Sequence, residues 1–113
     1  MPELSKDKRI AKEKKRLLKI MNGLDENKLS IVKALIVRAA FITVSLEDLE
    51  DDLATNGWTE EYQNGEYQSG IKKSASADVH ISLTKNLNAI IKQLIELVPA
   101  AQRKSKLEEM RKR

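Results

Sequence analysis

With 113 residues, the chain has room for one hydrophobic core and too little for a second independent one, so any large assembly must come from copies or partners. It contains no cysteine, which excludes disulfides, thiolate nucleophiles and cysteine metal ligands together and fits a reducing compartment. The net charge of +4 hides a segregation: residues 1–21 carry eight Lys/Arg against three acids, residues 25–70 three against ten, and residues 72–113 ten against four.

Basic ends around an acidic middle suit tails that meet a polyanion; the plainer alternative is two solvated faces and a frayed terminus. No apolar h-region or small-residue cleavage site precedes the first basic run, so the expectation is a protein that stays in the cell that makes it.

Residues 4–21 are rich in good helix formers, but Leu4, Ile10, Leu17, Leu18 and Met21 make a sparse apolar set. The stretch predicts a helix that buries little by itself and stays peripheral or mobile. Asn22-Gly23 ends it, because both residues tolerate the left-handed conformation that closes helices.

A second helix starts near Asp25, a suitable N-cap, with Glu26 in the first turn where the helix dipole favours an acid. No Gly or Pro interrupts it from Lys28 to Asn56, and Val32, Leu35, Ala39, Ile42, Leu46, Leu49 and Leu53 follow a heptad spacing. About 28 helical residues would reach about 42 Å, more than a compact monomer of this size needs. Ile31, Ile36, Val37, Ala40, Phe41 and Val44 extend the apolar surface beyond the seam. A membrane span has the right length here, but Lys33 and Arg38 would each cost about 2.5–3.5 kcal/mol near the bilayer centre. The expectation is a helix covered by its own chain on one face and by neighbouring subunits on another, with Val32, Leu35, Ile36, Ala39, Ile42, Leu46 and Leu49 as the oligomerisation residues.

Three of the four aromatics, Trp58, Tyr62 and Tyr67, lie in the connection from 56 to 76. Asn64-Gly65 signals a tight hairpin turn that would set Gln63 opposite Glu66 and Tyr62 opposite Tyr67. An irregular loop is the other reading, and in both the aromatics act as a lid on the open end of the helices. Ser76 can cap a third helix with Asp78 in its first turn. Leu83, Leu87, Ile90, Leu94 and Leu97 repeat the heptad spacing, widened by Val79, Ile91, Ile95 and Val98, so an antiparallel helical hairpin is the economical arrangement. Pro99 ends this helix or opens a fourth, and the basic tail forms a short polar helix at best.

The chain gives little sign of catalysis. His80 is the sole histidine, no Walker-type glycine pattern occurs, and a lone histidine near a helix start reads as a boundary residue. The acidic run Glu47, Asp48, Glu50, Asp51 and Asp52 splits between two helix faces rather than gathering for a cation; it reads as a solvated face, able to meet a basic segment of a neighbouring subunit. Neither a metal site nor a cofactor is expected, and the chain reads as no enzyme. Lys6, Lys8, Arg9, Lys12, Lys14, Lys15, Arg16 and Lys19 crowd one short helix and are the candidate DNA-binding residues, since such a run supplies the salt-dependent phosphate contribution to affinity. A solvated arm, or contact with an acidic protein, is the alternative use of the same charges.

The stretch from Leu53 to Leu107 resembles the central and C-terminal part of bacteriophage terminase small subunits. The resemblance lies in a long helix ending in Asn56-Gly57, the segment Glu61-Tyr62-Gln63-Asn64-Gly65, the approach Lys72-Lys73-Ser74 to a second long helix, and the closing Leu97, Pro99 and Arg103. Where the family often carries a proline and then an aromatic, this chain has Ala75-Ser76 and His80, and the basic arm lies outside the resemblance. It implies a DNA-packaging component of a tailed phage or prophage in the host cytoplasm. Such proteins form rings, bind the viral double-stranded DNA and regulate the large terminase subunit, without catalysis of their own. The expected fold is all-α and oligomeric: a basic N-terminal helix (1–22), a helical-hairpin oligomerisation domain (23–98) with a small β-hairpin or loop in its connection, and a basic C-terminal tail (99–113). The alternative function is a helical scaffold or protein-interaction module that binds no DNA, and neither reading involves a membrane.

Overall fold

The fold is that of a computed structural model, which describes residues 5–63, 65–66 and 68–112. In chain order the described elements are α1 (Lys6–Ile20), α2 (Glu26–Asn56), β1 (Thr59–Gln63), β2 (Ser69–Lys73), α3 (Ala75–Glu96), a short 3-10 turn (Ala100–Gln102) and α4 (Arg103–Arg111). The protein is therefore mostly helical, with one small antiparallel sheet.

The 31-residue α2 is the backbone of the molecule, and α1 and α3 both pack against it. Its start is fixed by Asp25, whose Oδ1 accepts the Lys28 amide at 3.0 Å. Its end is fixed by Gly57, at φ 84°, which places the chain in a conformation that only glycine adopts without strain. Between these caps the helix is unbroken. By length and composition it could cross a membrane, but half of its most apolar 18-residue window is already buried inside the chain.

Ser5 caps α1, its hydroxyl accepting the Lys8 amide at 3.3 Å. The expectation of a peripheral first helix is corrected: Leu17, Ile20 and Met21 are all buried in the main core with Val32, Ile36 and Ala39 of α2, Leu94 and Val98 at the end of α3, and Met110 of α4. These apolar residues cluster in the last turn of α1, so a helix with a sparse stripe still inserts one dense apolar end. Arg9, near the other end, meets Glu47 and Asp48 of α2, so α1 runs antiparallel to α2.

The α2–α3 pair forms the expected antiparallel hairpin. At its far end His80 meets Glu50, and near the opposite end Leu94 shares the core with Ile36. The heptad seam of α2 lies in this chain's own interior: Val32, Ala39, Ile42, Leu46 and Leu53 are buried, while Leu35 and Leu49 are partly so. The first turn of α3 differs from the expectation, because Ser74 rather than Ser76 is its N-cap, with Oγ accepting the Ala77 amide at 3.1 Å. Both serines suit the position, and Ser76 is occupied elsewhere, at Asp52.

The connection is a β-hairpin, but not in the expected register. Gln63 pairs with Ser69 and Tyr62 with Gly70, so five residues rather than two join the strands. Gly70 explains the pairing: a Cβ there would lie 2.9 Å from the Tyr62 ring, so that ring lies across a position where any side chain would intrude. Asn64 and Tyr67 fall outside the described residues, and with them the expected pairing of two tyrosines. Apart from half-buried Gly70 the strands are exposed, so the ribbon projects from the helical pair rather than sealing it. Trp58 turns back, its ring edge-on to His80 at 5.3 Å, while remaining half exposed.

Pro99 follows the C-cap of α3 and precedes α4, which is a docked helix rather than a loose tail. Met110 is buried in the main core, and Arg103 donates to the carbonyls of Val98 and Glu96 across the corner.

Candidate nucleic-acid interface

The eight basic residues of α1 divide by their position around the helix. At 100° per residue, Lys8, Lys12, Lys15 and Lys19 fall within one narrow arc, spaced 4, 3 and 4 apart, and all four are exposed. They form a stripe about 16 Å long on the side of α1 turned away from the core. Among the described residues no ion pair engages any of them. Their charge remains available to an outside polyanion.

The other four are placed differently. Lys14 is exposed off the stripe, and Lys6 sets its ammonium 5.0 Å from the centre of the Phe41 ring, a cation–π contact on the flank of α2. Arg9 is half buried and donates to Asp48 at 2.6 Å and to Glu47 at 3.0 Å. Asp48 first and then Glu47 hold its guanidinium charged more firmly than usual. Arg16 donates to both carboxylate oxygens of Glu13 at 2.6 and 3.1 Å, and to the carbonyls of Glu109, Met110 and Lys112 at 3.2–3.3 Å. Glu13 is only 5 % exposed, so this pair is an internal strut between α1 and the end of α4.

The acidic run is likewise used within the chain. Glu47 and Asp48, although on diverging faces of α2, are bridged by the forked Arg9 guanidinium, whose two arms span the gap. Glu50 meets His80 Nε2 at 3.2 Å. The Asp52 carboxyl is held below its ordinary value of 3.8, first by the Ser76 hydroxyl and then by the Asn56 amide, which donates at 2.7 Å. Asp51 stays exposed. Among the described residues no three of His, Asp and Glu gather where they could share a metal ion.

The candidate oligomerisation residues are mostly turned inward: Val32, Ile36, Ala39, Ile42 and Leu46 are buried in the single chain. The apolar surface left open on α2 is a different arc. Ile31, Val37 and Phe41 are 54 %, 46 % and 51 % exposed, with Ala34 exposed between them. Heptad spacing identifies a seam but not its partner, and here α1 and α3 provide the partner.

The chain matches no family model, no curated protein and no solved structure.

Two features of the site escaped sequence reasoning. The diversion of Arg9 depends on acids 38 and 39 positions away and that of Arg16 partly on carbonyls 93 to 96 positions away, for which no local pattern exists, although Glu13–Arg16 is itself an i,i+3 pair. The docking of α4 had a faint signal in Leu107 and Met110, three apart in an otherwise polar tail.

Proposed function

We propose that this chain is a terminase small subunit, a DNA-binding oligomer that acts on viral double-stranded DNA in the host cytoplasm and regulates the large terminase subunit. The observation that carries the DNA part is the stripe of Lys8, Lys12, Lys15 and Lys19, four exposed cations in one line on a helix whose opposite face is anchored in the core. A fixed line of cations follows a phosphate backbone with less ordering cost than a loose arm. The packaging role comes from the resemblance of residues 53–107 to that family, and the oligomer is supported by the open apolar arc of Ile31, Val37 and Phe41.

Such a site binds without reading sequence by itself, because phosphate contacts position a protein and base contacts specify it. A gel-shift titration with duplex DNA at low and moderate salt tests the reading. Retardation at low salt that fades steeply with added salt is the expected result. Absence of retardation at low salt contradicts it and favours a helical scaffold that meets acidic protein surfaces.

A further inference from the structure

We infer that α4 supplies the second wall of the same nucleic-acid surface, with duplex phosphates seated on Lys19, Lys106 and Lys112 in the open groove between α1 and α4. The inference rests on the DNA-binding reading above and extends it to the C-terminal basic helix.

The groove has a volume of about 460 Å³ and begins where the lysine stripe ends. Lys19 belongs to both, as the last residue of the stripe and a lining residue of the groove. Lys106 lines it from α4 and Lys112 from the C-cap of that helix, so cations from both ends of the chain border one groove. Glu109 is the one acid among the lining residues, against these three lysines, and no ion pair engages the lysines among the described residues.

Arg16 also borders the groove, but its charge is already used there. It donates to the carbonyls of Glu109, Met110 and Lys112, the negative end of the α4 dipole, which would otherwise face an incoming anion. The buried Glu13 carboxylate fixes the Arg16 fork from the other side. The groove is thus positive through lysines that no ion pair engages among the described residues, beside C-terminal carbonyls of α4 already held by Arg16.

Its shape favours a polymer. The groove is open to solvent and four of its seven lining residues are basic, which suits an extended polyanion better than an enclosed small molecule. Duplex DNA presents one negative charge per about 1.7 Å of axis, so the stripe on α1 and the lysines bordering the groove can both meet phosphates.

Equilibrium binding of the full chain to a short duplex, measured against salt concentration, tests this. Lys106→Gln with Lys112→Gln is compared with Lys104→Gln and Arg111→Gln, an equal charge change on the opposite side of α4. Removing two phosphate contacts should reduce the slope of log Kobs on log salt by about 1.8 in the groove variant and leave it unchanged in the control. An equal reduction in both variants would mean that only net charge matters, and overturns the groove. No change in the groove variant, while loss of Lys8 and Lys12 lowers the slope, overturns the groove alone and leaves DNA on α1. A wild-type chain that ignores duplex but binds polyglutamate overturns the groove and the DNA-binding reading together.

Discussion

Arg16 shows how little a count of charges says about their use. Eight cations lie on α1, yet this one joins a nearly buried carboxylate to three carbonyls of another helix. Removing one partner of a buried pair leaves the other charge uncompensated, at about 3–5 kcal/mol; with Arg16 a quarter exposed, Arg16→Ala should cost about 3 kcal/mol. Urea denaturation measures this, and adding Glu13→Gln should restore part of the loss. A cost near zero would mean that the strut does not hold α4.

Asp52 offers a second test at this scale. Its folded pKa lies below 3.8, so its contribution to stability is present above that value and is lost as the pH falls through the folded one. Ser76→Ala removes the larger cause, so the Asp52 titration should move back up toward 3.8. The variant should be less stable than the parent at neutral pH, and the two should converge in acid. An NMR pH titration of the carboxyl reads the first result, and denaturation at several pH values reads the second.

At the scale of elements, the long helices were the legible part. Asp25, Asn56-Gly57 and the absence of Gly or Pro between them set the length of α2, and matched apolar spacing paired it with α3. Leu94, fully buried where α3 enters the main core, is the residue on which that pairing depends. Leu94→Ala should destabilise the fold by about 2–5 kcal/mol, as other large-to-small core changes do, and a midpoint shift in denaturant checks it.

What was not legible depends on tertiary competition between equivalent local choices. Ser74 and Ser76 can both cap a helix, and the local sequence does not decide between them. Asn64-Gly65 favours a two-residue turn, yet the fit of the Tyr62 ring over Gly70 sets a longer one. The depth of α1 depended on where its apolar end lands, which a sparse stripe does not reveal.

The whole molecule is long for its size. Its extents are 63 × 36 × 22 Å and its radius of gyration is 18.1 Å, against about 13 Å for a compact chain of this length. An elongated frame leaves much surface uncovered, and the arc of Ile31, Val37 and Phe41 is the apolar part of it on the longest helix. If copies associate there, Val37→Glu with Phe41→Glu should lower the mass seen by light scattering to that of the single chain, with helical content unchanged. A wild type that is already monomeric at micromolar concentration would remove the ring.

The salt dependence of duplex binding, compared between the parent and a variant with Lys8, Lys12, Lys15 and Lys19 all changed to Gln, tests most directly that α1 binds DNA along one face. Each phosphate contact contributes about 0.9 to the slope of log Kobs on log salt, so the variant should show a slope shallower by about 3.6, at unchanged helicity and mass. A slope equal to that of the parent would contradict the assignment of DNA to this face.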